Sequence, residues 1–159
     1  MKRFIPTLFL IILALSLRPA PLHAADSEFE TFLGSFDYEL RDEMKADSKE
    51  LVALLLSNKG ILVDIRFPEE VAAWKMGFGL AIPLNELPSR LSELPKDKII
   101  ITACQHKDRS SIAMAYLRSK GYEAKYLTDG LLGLAEQLRG ERAKDFMAEL
   151  ARIKGVQKP

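Results

Sequence analysis

Cysteine is nearly absent from this chain, which contains only Cys104. A single cysteine excludes an internal disulfide, so the thiol is either buried and inert or exposed and chemically used. Clusters of His, Cys or carboxylate residues with the spacing of metal ligands are missing, and so is a glycine-rich phosphate loop. The sequence therefore predicts neither a metal ion nor a cofactor.

A surplus of basic charge is also missing. The chain has 23 Lys and Arg residues against 22 Asp and Glu residues, and the basic residues are scattered rather than gathered into a stripe. Nucleic-acid-binding domains concentrate basic charge on one surface. We therefore expect no nucleic-acid partner.

An apolar run long enough for a stable membrane span is missing too. Residues 4–17 are shorter than the roughly 20 residues that a spanning helix needs, and they include Pro6. Basic residues precede this run and small residues follow it, which is the order of a secretory signal peptide. We predict that residues 1–24 are a signal peptide cleaved near Ala24, which makes the protein periplasmic or secreted. An uncleaved anchor is the alternative.

Removal of the predicted signal peptide changes the charge balance and the histidine count. Three basic residues and no acidic residue are lost, which leaves 20 basic against 22 acidic residues. His106 becomes the only histidine, two residues from the only cysteine. The roughly 135 residues that remain are enough for one domain with its own hydrophobic core.

Hydrophobic periodicity and capping signals divide the rest of the chain into alternating strands and helices. Such alternation predicts an α/β domain with a mainly parallel sheet. The predicted strands are 36–44, 61–65, 98–103 and 122–127. The predicted helices are 27–35, 49–58, 68–76, 110–121, 131–140 and 141–153.

The stretch "ACQHKDRSS" places Cys104 directly after a predicted buried strand and before a predicted helix. Ligands of open α/β sheets bind at this edge, where loop amides and the helix dipole attract negative charge. A free thiol titrates near ~8.5, and such surroundings lower that value to roughly 3.5–7.5. We predict a reactive thiolate at Cys104, stabilised by loop amides and by His106, Lys107 and Arg109. Asp108 is expected to cap the following helix or to pair with Arg109 outside the pocket.

Charged residues also follow the strand at 61–65. Asp64 and Arg66 lie on either side of Ile65, and Glu69 and Glu70 come close behind. We predict that these residues form ion pairs that support the loop beneath the site rather than taking part in chemistry.

Four segments together resemble a rhodanese-like domain over residues 45–138. They are "LVDIRFPEE", "AIPLNEL", the Cys-x4-Arg loop "ACQHKDRSS", and "KGYEAKYLTDGLLGL", in the order and spacing of that family. The resemblance implies a three-layer α/β fold, with a mainly parallel central sheet flanked by helices. Residues 25–44 would then be an N-terminal extension with a first strand, and residues 139–159 a C-terminal helix and tail.

The resemblance also implies a rhodanese-type sulfurtransferase. Cys104 would attack the outer sulfur of a small anionic donor such as thiosulfate, carry it as a persulfide and yield it to cyanide, a thiol or a protein acceptor. The donor would be bound by the rest of the loop, namely Gln105, His106, Lys107, Asp108 and Arg109.

The loop departs from the family pattern at two positions, where Gln105 replaces a common Arg and Lys107 replaces a common Gly. Small residues are also common where this chain has Trp74 and Phe78, which either rim the pocket or pack on the sheet. The four residues between Cys104 and Arg109 favour sulfur over the phosphatase and arsenate reductase activities of related Cys-x5-Arg loops. Another alternative is a relay protein that holds a persulfide for a partner without turning over.

Overall fold

The computed structural model of the protein describes residues 24–155, which are built on one sheet of five parallel strands. Residues 1–23 of the predicted signal peptide lie outside the described residues. Among the described residues, no helix is both long and apolar enough to cross a membrane. The strands are β1 (Lys45–Ala46), β2 (Gly60–Asp64), β3 (Leu80–Ala81), β4 (Ile99–Ala103) and β5 (Ala124–Leu127), in the spatial order β1-β5-β4-β2-β3.

Helices cover both faces of this sheet and complete a three-layer α/β fold. On one face, the helices Ser48–Leu56, Gly130–Gln137 and Glu141–Ile153 contribute to one hydrophobic core. On the other face, the helix Asp108–Ser119 contributes to a second core and contacts the helix Ala24–Gly34. The helices are α1 (Ala24–Gly34), α2 (Tyr38–Glu43), α3 (Ser48–Leu56), α4 (Pro68–Ala73), α5 (Asp108–Ser119), α6 (Gly130–Gln137) and α7 (Glu141–Ile153). Two short 3₁₀ turns, Leu87–Ser89 and Leu91–Glu93, precede β4.

The continuous apolar runs of the central strands are explained by burial on both sides. In β2, Leu62 joins the core under α3 and Val63 joins the core under α5. In β4, Ile101 and Ile100 divide between the two cores in the same way. Because successive side chains of a strand point to opposite faces, a strand with helices on both faces needs apolar residues throughout.

The strand predicted over 36–44 is wrong, because this segment contains the helix α2. The Asp37 side chain accepts a 2.8 Å hydrogen bond from the Leu40 N–H and so caps the helix. Tyr38 is 86% exposed, so the alternating apolar residues do not form one buried face. The first strand is instead the two-residue β1, which begins directly after the buried Met44.

The start of α3 is stabilised by the side chains of Asp47 and Glu50. Asp47 accepts a 2.8 Å hydrogen bond from the Glu50 N–H, as an N-terminal cap should. The Glu50 carboxylate, however, accepts a 2.6 Å hydrogen bond from Lys125 on β5. The helix start is thereby tied to the sheet beside β1.

Candidate active site

The loop of residues 104–109 connects the carboxyl end of β4 to α5, as the sequence predicts. Cys104 is fully buried at the base of this loop. Its carbonyl oxygen accepts a 2.8 Å hydrogen bond from the Leu131 N–H, and the Gln105 carbonyl accepts one of 3.4 Å from the Leu132 N–H. The first turn of α6 therefore holds the loop from one side.

Gly130, at the start of α6, allows this close contact. Its φ of +64° lies in the left-handed region, and a Cβ atom there would lie 2.3 Å from the carbonyl oxygens of both Gln105 and His106. A side chain at this position would overlap the loop backbone. The sequence places Gly130 between the predicted strand 122–127 and the predicted helix 131–140, but nothing in the local pattern indicates that this connection packs against the cysteine loop.

The backbone N–H groups of residues 105–110 donate no hydrogen bond to any other residue of the described chain. They belong to the loop and to the first turn of α5, where an α-helix leaves its N–H groups without intrahelical partners. Such amides, together with the helix dipole, form a binding site for negative charge. The role of the loop backbone in binding an anion stays a prediction.

Two oxygen atoms of side chains lie near the Cys104 sulfur. Asp108 Oδ1 is 3.7 Å from Sγ and Ser110 Oγ is 3.8 Å from it, both in position to accept a hydrogen bond from the thiol. The Ser110 hydroxyl donates its own proton to the Lys107 carbonyl at 3.0 Å, so it offers the sulfur a lone pair. Nothing in the sequence pattern indicates this contact with Ser110.

The expectation that Asp108 caps α5 is wrong. Asp108 is the first residue of α5, and the residue before it, Lys107, makes no side-chain cap hydrogen bond. A residue that is already helical cannot take the extended conformation of a capping residue, and the Asp108 carboxylate faces Cys104 instead.

Arg109 is held by Glu70 of α4. Arg109 Nη1 donates to Glu70 Oε2 at 2.6 Å and Nη2 donates to Oε1 at 2.8 Å. This two-bond contact, with help from the Phe67 N–H, lowers the pKa of Glu70 to about 2 and raises the pKa of Arg109. The pair ties the cysteine loop to the helix that follows β2, and it offsets the positive charge that the sequence assigned to the site.

Asp64 and Arg66 form an ion pair at the carboxyl end of β2, next to the carboxyl end of β4. Arg66 is fully buried and donates to Asp64 from Nε at 2.9 Å and from Nη2 at 2.7 Å. Its guanidinium also lies 4.0 Å from the centroid of the Trp74 ring, and Nη2 donates to the Trp74 carbonyl at 2.9 Å. Trp74 therefore packs on Arg66, and Phe78 packs on Phe146 with ring centroids 5.0 Å apart.

The remaining loop side chains face outward. His106 and Lys107 are exposed and Gln105 is half-buried. Within residues 24–155, none of these three side chains makes a hydrogen bond or ion pair, so all three are available to a ligand. In the same part of the chain, no group of three or more His, Cys, Asp or Glu residues is arranged to hold a metal ion.

The fold and the loop define an α/β domain with a cysteine loop of four intervening residues. The rhodanese-like domain family matches residues 47–137, more than half of the chain, and the protein belongs to this family. A sulfurtransferase of Allochromatium vinosum is 39% identical over 77 residues, which are 48% of this chain and 72% of that protein. The thiosulfate sulfurtransferase GlpE of Ectopseudomonas mendocina is 30% identical over 88 residues, covering 55% and 81%.

A solved structure with a similar fold agrees with membership of the rhodanese-like domain family. The human single-domain sulfurtransferase TSTD1 is 29% identical, with a TM-score of 0.54 over 58% of this chain and 96% of that chain. The predicted α/β fold with its central parallel sheet is thus confirmed, and sulfurtransferases at modest identity support a role of the same kind.

The lowered pKa of Glu70 predicts how stability depends on pH. Because the folded-state pKa is about 2 rather than 4.5, the ion pair with Arg109 contributes fully above about pH 4.5 and is lost as the pH falls towards 2. Both side chains are partly exposed, so we expect a contribution of about 1 kcal/mol. Urea unfolding at about pH 5 and about pH 3 should show a larger loss for the wild type than for Glu70→Gln.

Glu69→Gln is the matched control for this measurement. It removes the same charge one residue away, where the structure of residues 24–155 contains no ion pair to Glu69. This variant should keep the pH dependence of the wild type. Equal losses of unfolding free energy in the wild type and in Glu70→Gln would contradict the assignment.

Proposed function

We propose that the protein transfers a sulfane sulfur from an anionic donor such as thiosulfate to a thiol or cyanide acceptor through a persulfide on Cys104. The observation that carries the proposal is the position of Cys104 at the base of a loop whose amides, from residue 105 to 110, have no partner in the described chain. The sulfurtransferase names of the relatives support the same reading.

The reaction consists of two substitutions at sulfur. In the first, the Cys104 thiolate attacks the outer sulfur of the donor. A new S–S bond forms, the old bond to that sulfur breaks, and its electron pair leaves with sulfite or a thiolate. In the second, the acceptor attacks the outer sulfur of the persulfide and Cys104 leaves as a thiolate, so no external oxidant or reductant is needed.

The loop backbone supplies binding and charge stabilisation, and it takes no part in acid–base chemistry. The amides without a partner would donate hydrogen bonds to the negative charge of the donor and of the leaving group, and the α5 dipole would act in the same direction. His106 and Lys107 are exposed at the mouth of the loop and would attract an anion from solution. Arg109, which is paired with Glu70, would chiefly hold the loop in position.

Export of the protein is also part of the proposal. The order of charges and apolar residues in 1–24 is that of a signal peptide, which would bring the reaction to the periplasm or outside the cell.

The alternative is a relay protein that holds the persulfide until a partner collects it. Burial of Cys104 favours this second candidate, since a covered sulfur would be slow to discharge to small acceptors. Rapid turnover with cyanide would argue against it, and a long-lived persulfide would support it. Phosphatase or arsenate reductase activity is disfavoured by the loop of four residues between Cys104 and Arg109.

Intact mass spectrometry tests the carrier directly. The protein is incubated separately with thiosulfate, mercaptopyruvate and glutathione persulfide, then desalted and weighed. We expect a gain of one sulfur atom with at least one donor, located on the peptide that contains Cys104 and removed by cyanide. A protein that gains no sulfur from any of the three donors would contradict the proposed function.

A further inference from the structure

The charges around the cysteine loop cancel, although the sequence predicts a cationic site. Lys107 and Arg109 contribute two positive charges, and Asp108 and Glu70 contribute two negative charges. Glu70 occupies Arg109 with two hydrogen bonds. The Asp108 carboxylate makes no ion pair within 4.0 Å in the described chain, and its electrostatic contact with Arg109 is a longer-range one, to a guanidinium already paired with Glu70.

Asp108 is the exposed one of the two residues whose side-chain oxygen atoms lie near the Cys104 sulfur. Cys104 is fully buried, and its two side-chain oxygen neighbours are Asp108 at 3.7 Å and Ser110 at 3.8 Å. Ser110 is itself buried, whereas Asp108 is exposed. A donor sulfur that bonds to Sγ at about 2 Å would therefore lie within about 6 Å of the carboxylate oxygen.

We propose that Asp108 determines the class of sulfur donor. The proposal rests on the proposed function, in which Cys104 carries the sulfur. The carboxylate disfavours thiosulfate, whose two negative charges lie within one small ion, and favours an organic persulfide, whose reacting end carries at most one. Like charges at short distance repel, and the repulsion would grow as sulfite leaves with both charges beside Asp108.

The transfer from an organic persulfide balances without a further reagent. Cys104–SH and R–S–SH give Cys104–S–SH and R–SH. The bond between Cys104 Sγ and the outer sulfur forms, the S–S bond of the donor breaks, and its electron pair leaves with the R–S sulfur. Asp108, which is placed to accept the thiol hydrogen bond, receives the Cys104 proton and the leaving thiolate takes it up.

Three exposed apolar side chains around the loop would contact the organic part of such a donor. Phe67 is 49% exposed with its ring 5.5 Å from the Arg109 guanidinium, and Leu132 is 49% exposed with its N–H on the Gln105 carbonyl. Ile112 is 60% exposed and lies one helical turn after Asp108. Thiosulfate has no carbon atoms that could contact this surface, whereas an organic persulfide has methylene groups beside its sulfur atoms.

The rate at which Cys104 gains one sulfur, followed by intact mass, tests the assignment. The wild type and Asp108→Asn are each mixed with thiosulfate and with glutathione persulfide. The wild type should react faster with glutathione persulfide. In Asp108→Asn the ratio of the thiosulfate rate to the persulfide rate should rise by about tenfold, equivalent to about 1.4 kcal/mol. Loss of the proton acceptor would slow the reaction with both donors, so the ratio of the two rates isolates the effect of the charge.

Asp97→Asn is the matched control, because it removes the same charge at the opposite end of β4, where Asp97 is exposed. Its rate ratio should equal that of the wild type. Asp108→Ser gives an independent second variant if Asp108→Asn does not fold, and it should shift the ratio in the same direction.

The outcomes separate the two proposals. A wild type that prefers thiosulfate, or an Asp108 variant whose ratio stays within about twofold of the wild type, overturns the role of Asp108 while sulfur transfer stands. No sulfur gain from either donor in any variant overturns the proposed function and this inference with it.

Discussion

Replacement of Cys104 by Ala is expected to abolish sulfur transfer, with a loss of at least about a thousandfold in kcat. The described chain has no other cysteine that could carry the persulfide. The loop amides and the surrounding charges can bind a donor, but without the thiolate no bond to its outer sulfur can form. Steady-state transfer from the best donor of the panel to cyanide measures the effect.

Cys104→Ser is the control for the size and shape of the residue. Cys104 belongs to the apolar core that also contains Ala113 and Met114, so Ala leaves a small cavity and Ser introduces a hydroxyl. Both variants should remain folded, with a loss of about 1–2 kcal/mol in unfolding free energy. A kcat above about one hundredth of the wild-type value in both folded variants would mean that another group carries the sulfur.

Replacement of Gly130 by Ala is expected to lower activity by about a hundredfold, although Gly130 carries no functional group. The new Cβ would lie 2.3 Å from two carbonyl oxygens of the cysteine loop. Because backbone atoms cannot rotate away as a side chain can, the loop must move, and its amides with it. A displacement of about 1 Å is enough for a loss of this size. The measurement is the rate of persulfide formation on Cys104.

Gly121→Ala separates loop displacement from backbone strain. Gly121 has a similar φ of +75°, but a Cβ there meets nothing within 4 Å. Both variants should lose about 1–2 kcal/mol of stability from the left-handed conformation. Of the two variants, only Gly121→Ala should keep the wild-type rate of persulfide formation. Equal rates in the two variants would show that the loop does not depend on Gly130.

The fold could be predicted from the sequence because the main elements are encoded by patterns of neighbouring residues. The buried runs of β2 and β4 and the Asp47 cap of α3 are visible within a few residues. The strand prediction for 36–44 was wrong because it relied on local alternation alone. The Asp37 cap makes this segment helical, and Tyr38 is exposed rather than buried.

The site could be located from the sequence, but its electrostatics could not. The position of Cys104 between β4 and α5 follows from the order of the elements. The ion pair of Arg109 joins it to Glu70, 39 residues earlier, and the sequence alone does not say which of several cations Glu70 will meet. Whether Asp108 caps α5 or faces Cys104 depends on where α5 begins, and a shift of the helix start by one residue would make Asp108 the capping residue.

The two outer strands of the sheet have a consequence for self-association. β1 and β3 are two residues long each, whereas the central strands have four or five. An exposed sheet edge offers unpaired N–H and C=O groups on which a second chain can add a strand, and short edge strands limit this. With little edge to extend, the parallel sheet is protected against edge-to-edge aggregation without a proline or bulge in either outer strand.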